Sequence, residues 1–99
     1  MKVTFAETDR QKILAAIKTA MGERKLAEMV SFEMAAGEMN VTISKLGKSV
    51  ISFKERTVPA GLEYTLAGEK LALTHRAFKD EVTKKIMNVI EKAGGKVQA

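Results

Sequence analysis

Between Val30 and Leu73 apolar residues recur at every second position, and from Phe78 onward they recur at every third or fourth. This change of period constrains the fold more than any other feature, because period two gives a strand one apolar face and period 3.6 does the same for a helix. Val30, Phe32 and Met34, then Met39, Val41 and Ile43, then Ile51 and Phe53, then Leu62, Tyr64 and Leu66, and finally Leu71 and Leu73 read as successive short strands. Each has one face to bury. Phe78, Val82, Ile86, Val89, Ile90 and Ala93 then form the continuous apolar face of a long helix. Asp80–Lys84 and Glu81–Lys85 are favourable pairs four apart on it, and Gly94-Gly95 ends it.

Turn residues separate the alternating runs. The triplet Ala-Gly-Glu stands at 36–38 and again at 67–69, each time between two such runs. It reads as two similar turns, since the flanking residues do not match. Pairing Ile43 with Ile51 and Val41 with Phe53 leaves a three-residue loop, Leu46 to Lys48, in which Gly47 can take positive φ. Pro59 followed by Gly61 makes residues 54–61 a longer connection, because proline cannot donate to a ladder.

Upstream, Val3 and Phe5 alternate with polar neighbours in a short first strand. Thr8 and Gln11 have the spacing of a capping box, and Ile13, Ala16, Ile17, Ala20 and Met21 share the buried face of the helix it opens. Beyond Gly22 the apolar positions move to Leu26, Met29 and Val30, a phase shift that implies a kinked helix or two helices. The last residues, 94–99, read as a frayed tail. The order is strand, kinked helix or two helices, antiparallel meander of about five strands, and a long C-terminal helix packed on the sheet, which is an α+β fold. That element order resembles the helix-grip plan of START-like and Bet v 1-like proteins, in which a curved sheet wraps a C-terminal helix. The resemblance implies a shape and carries no function.

Ninety-nine residues with 45% apolar and 29% charged content suit one domain spanning 1–99. The chain has no cysteine, so thiol nucleophiles, thiolate metal sites and disulfides are excluded. With no apolar run behind its first basic residue and no stretch near the roughly 20 apolar residues of a membrane span, the sequence reads as cytoplasmic.

Enzymatic chemistry finds little to work with. One histidine and no cysteine leave no starting point for a metal site, and there is no phosphate-cradling glycine motif or nucleophile elbow, so neither metal nor cofactor is expected. Ser31, Ser44, Ser49 and Ser52 read as solvent-facing or near turns, and Glu33, Glu38, Glu55, Glu63 and Glu69 as strand-surface or turn residues. An enzyme would need His75 beside a carboxylate in a cleft. The chain reads more readily as non-enzymatic.

Binding has more candidates. The chain is rich in methionine, which fills irregular cores and also lines adaptable grooves. Met34, Met39, Tyr64, Phe78 and Met87 are candidates for a groove holding an apolar small ligand or a protein partner, and Val50 and Val58, off the buried phase, for a subunit contact in a homodimer. His75, Arg76 and Lys79 stand at a helix start and could hold an anion. The net charge of +5 raises a nucleic-acid or polyanion partner, with Lys45, Lys48, Lys54 and Arg56 on one hairpin and further lysines along the last helix. Against a base-stacking platform, Phe5, Phe32, Phe53, Tyr64 and Phe78 all fall in the apolar phase of their elements. The leading expectation is a small binding or assembly protein with a Met-rich core or groove, and the alternative is a polyanion binder.

Overall fold

The computed structural model describes residues 1–22, 28–35, 37–44, 47–72 and 79–98. In chain order its elements are β1 (Lys2–Phe5), α1 (Arg10–Met21), β2 (Val30–Ala35), β3 (Glu38–Ser44), β4 (Lys48–Val58), β5 (Gly61–Lys70), α2 (Lys79–Lys92) and β6 (Gly95–Gln98). The six strands form one antiparallel sheet in the order β2-β3-β4-β5-β1-β6. This is the expected α+β architecture, with the long helix following the meander.

Why these segments adopt these forms follows from their caps and stripes. Asp9 caps α1, its Oδ1 accepting from the Gln11 amide at 2.9 Å, while Glu7 Oε2 accepts from the Thr8 amide at 2.9 Å. The cap is thus one residue later than the Thr8–Gln11 pairing expected, because a carboxylate beside the positive helix end displaces the weaker hydroxyl. The buried stripe is the expected one: Ile13, Ile17 and Met21 on α1, and Ile86, Val89 and Ile90 on α2. The shift of helical phase falls on residues 23–27, which lie outside the described residues.

The inner face of the sheet carries the core, in which Val3, Ile17, Met39, Val41, Phe53, Tyr64 and Ile90 are at most 1% exposed. Among the described residues seventeen apolar side chains form this one buried cluster, and burying each contributes roughly 1.5–3 kcal/mol before chain entropy is subtracted.

Four details differ from the sequence reading. First, β3 and β4 pair two residues away from the expected register: Val41 faces Ile51, Met39 faces Phe53, and Ile43 faces Ser49. A shift of two keeps every side chain on its face, so alternation alone cannot detect it. The pairing closes on Ser44 opposite Lys48, with Gly47 at φ 133°. Ser49, in the same inward phase as Ile51 and Phe53, is fully buried, and its Oγ accepts from the Ala72 amide at 2.8 Å.

Second, residues 54–58 are strand, and only Pro59-Ala60 remain between the paired Val58 and Gly61. Gly61, at φ 146°, permits this tight closure. Third, the second Ala-Gly-Glu is no turn. Strand β5 runs through it to Lys70, with a register shift opposite Ser52/Phe53 that leaves Ala67 as the extra residue of a bulge. Among the described residues the meander therefore has four strands, β2 to β5. Fourth, Gly95–Gln98 forms β6 beside β1 in place of a frayed tail, Val97 opposite Val3. Gly95 makes the turn back possible, since a side chain there would meet Ile90 at 2.6 Å.

Candidate nucleic-acid interface

Among the described residues helices cover one face of the sheet only, so the alternation of each strand divides its residues between the core and a helix-free face. On that second face β4 presents Lys48, Val50, Ser52, Lys54, Arg56 and Val58. Cross-strand pairing then sets these side chains in rows. Glu38, Lys54, Thr65, Lys2 and Gln98 lie opposite one another in one row across five strands. The adjacent row is Arg56, Glu63, Thr4 and Lys96.

Four cations, Lys2, Lys54, Arg56 and Lys96, thereby share these rows with two carboxylates, Glu38 opposite Lys54 and Glu63 opposite Arg56. At a strand spacing of about 4.8 Å, Lys54 and Lys2 stand about 10 Å apart and Arg56 and Lys96 about 14 Å. Glu63 is recessed between them, 9% exposed. It binds Arg56 Nη2 at 3.0 Å and Lys2 Nζ at 3.8 Å, although the Arg56 side chain itself remains 69% exposed. Among the described residues Lys54 and Lys96 have no ion-pair partner. Their charge is open to solvent.

A second charged cluster lies on the core face. Glu55 follows Ser49, Ile51 and Phe53 in the inward phase of β4, opposite Tyr64. Its carboxylate receives Arg10 Nε at 2.8 and 2.7 Å and Tyr64 Oη at 2.8 Å, and Arg10 Nη2 also donates to it. The Tyr64 ring meets Phe5 edge-on at 6.0 Å. The Arg10 guanidinium holds the Glu55 carboxyl below its ordinary range against the opposing effect of burial. Burial, with Glu55 beside it, pushes the Tyr64 phenol up. The Glu55 side chain is only 4% exposed, and its oxygens already accept from two residues, so it offers a substrate neither access nor a free lone pair of good geometry. This cluster joins the start of α1 to the sheet.

Of the polyanion set, Lys54 and Arg56 share the cationic rows; Lys48 lies on the same face at the far end of β4, and Lys45 is outside the described residues. Lys2, and Lys96 of the cations that follow the last helix, join the hairpin cations only because the pairing of β1 with β5 and β6 brings both segments beside β4. Of the groove set, Met39 and Tyr64 are fully buried, and Met34 and Met87 are partly buried against the core. Phe78 is outside the described residues. A shallow depression of 450 Å³ lined by Lys18, Met21, Val30, Ser31 and Phe32 includes none of the five. Lys79, at the start of α2, forms an ion pair with Glu69 at 3.2 Å, while His75 and Arg76 are outside the described residues. Val50 and Val58 are half-buried on the helix-free face.

No protein family, curated protein or solved structure matches the chain. Among the described residues no three histidine or carboxylate side chains converge as metal ligands, and no helix is long and apolar enough to cross a membrane.

Proposed function

We propose that the protein is a non-enzymatic binding module that docks on the phosphate backbone of nucleic acid through its helix-free sheet face. The observation that supports this reading is the convergence of Lys2, Lys54, Arg56 and Lys96 in two adjacent cross-strand rows. Residues from both ends of the chain and from its middle meet there, which the even dispersal of charge along the sequence does not suggest. Phe5, Phe32, Phe53 and Tyr64 are all buried on the opposite face, so no aromatic ring among the described residues is placed to stack a base. Affinity is then electrostatic in origin, and four phosphate contacts give a log–log salt slope near −3 for a single strand.

The test is a fluorescence titration with a short oligonucleotide at several salt concentrations. Binding should weaken roughly 50-fold for a fourfold rise in salt, and Lys54→Gln with Arg56→Gln should flatten the slope by about 1.4. Binding indifferent to those two substitutions would overturn the reading.

A second reading, an apolar small-ligand or partner groove, has the partial exposure of Met34 and Met87 in its favour. A lipophilic probe that raises the melting temperature would support it, and no shift across a broad apolar screen would count against it.

A further inference from the structure

Gly68 adjoins the bulge at Ala67. A glycine inside a strand costs backbone entropy and packs nothing, so it usually marks a left-handed backbone, a bulge, a crowded position or the close approach of a ligand. Gly68 is not among the positive-φ glycines, and a Cβ built on it would have no neighbour within 4 Å. The left-handed backbone and the crowded position are thereby removed, and the bulge and an approaching group remain. Gly68 borders a shallow trough of 370 Å³ lined by Val50, Ser52, Gly68, Glu69 and Lys70, of which Glu69, opposite Ile51, lies in the core-facing phase. The volume lies at the small end of the range for ligand sites.

The trough adjoins the cationic rows. Ser52 and Lys54 stand two residues apart on the same face of β4, about 7 Å, and Lys70 forms the far rim. Its chemistry is mixed. Val50 supplies an apolar wall and Ser52 a hydroxyl. Strand β1 pairs with β5 only from Leu62 to Thr65, whereas β4 pairs with it as far as Lys70, so among the described residues only the β5 edge that faces away from β4 has no neighbouring strand beyond the bulge at Ala67. Backbone amides and carbonyls there remain available to a flat group bearing both donors and acceptors. Such a group, attached to a phosphate backbone running across Lys54 and Lys70, is a nucleobase read on its edge.

We infer that the Gly68 trough is a subsite for one unpaired base of a single nucleic-acid strand. This rests on the reading of the helix-free face as a nucleic-acid interface. The experiment compares an oligothymidylate with an abasic oligomer of the same length and charge, using wild type and Gly68→Val. Wild type should prefer the thymidylate by about five-fold, the size of one weak base contact. Gly68→Val should erase that preference while keeping the melting temperature and the salt slope, because the added side chain enters open space. Equal wild-type affinity for the two oligomers overturns the subsite and leaves the interface standing, as does a folded Gly68→Val that keeps the preference. Failure of wild type to bind either oligomer overturns both. Should Gly68→Val unfold, the wild-type comparison alone decides.

Discussion

Tyr64 and Glu55 face each other across β4 and β5, and the phenol donates to the carboxylate at 2.8 Å inside the core. The pair forms where a fully buried ring can satisfy its hydroxyl only with a neighbouring side chain. Tyr64→Phe removes the donor while Arg10 continues to hold the carboxylate. It should cost about 1–2 kcal/mol, read as a lower urea midpoint with an unchanged m-value.

Acid should act on the same cluster. Because the folded state holds the Glu55 carboxyl below its ordinary value, the unfolded chain takes up the proton first. Its contribution is complete above the unfolded value of about 4.3 and is lost as pH falls through the folded one. Glu55→Gln should therefore unfold at lower urea than wild type at neutral pH, and the gap should close below about pH 4. A gap that stays constant down to pH 2 would contradict this.

Alkali provides a separate readout. Tyr64 is the only tyrosine and the chain has no tryptophan, so tyrosinate absorbance reports this one group. Its raised pKa means that the native phenol should stay protonated past the ordinary value of about 10, whereas in denaturant it should titrate there. The unfolded state then releases its proton first, and stability should fall as pH rises above about 10.

Gly61 and Gly68 should differ sharply. A Cβ at Gly61 would lie 2.0 Å from the Phe5 carbonyl oxygen and 2.7 Å from the Glu7 amide, on a backbone already at φ 146°. Gly61→Ala should cost more than about 4 kcal/mol, enough to abolish a two-state thermal transition in a domain of this size. Gly68→Ala should change the melting temperature by no more than a few degrees, equivalent to about 0.5 kcal/mol.

Glu63 holds Arg56 and Lys2 from beneath, occupying the place that a bound phosphate would compete for. Under the proposed interface, Glu63→Gln keeps an oxygen that can accept from Arg56 and removes the charge. Oligonucleotide binding should tighten at low salt and its log–log slope steepen by about one phosphate equivalent. Weaker binding in this variant would show that the carboxylate serves instead to position the two cations.

Much of this architecture is visible along the chain. The alternation of Val30, Phe32 and Met34 against Met39, Val41 and Ile43, and the stripe from Val82 to Ile90, place the sheet and the long helix correctly because each pattern is local. What is not visible depends on distant partners. The register of β3 on β4 is invisible to a period of two. Glu55 looks like a surface residue until Arg10 and Tyr64 are brought to it, although its place two residues beyond Phe53 in the inward phase was the available signal. The short "GKVQ" segment has little apolar pattern of its own, and becomes a strand because β1 offers it a ladder. The cationic rows share this origin, since neither Lys2 nor Lys96 is near β4 in the sequence.

The position of β1 between β5 and β6 has a consequence for how the protein reaches its native state. The first strand finds both its neighbours far along the chain, Tyr64 on one side of Val3 and Val97 on the other. Loop closure over such separations is slow relative to the making of hairpins, so the β2–β5 meander can assemble early while β1 joins late. Once inserted, that strand ties the meander to the α2–β6 segment. Amide exchange in β1 should then follow global opening, with local fraying confined to the outer strands.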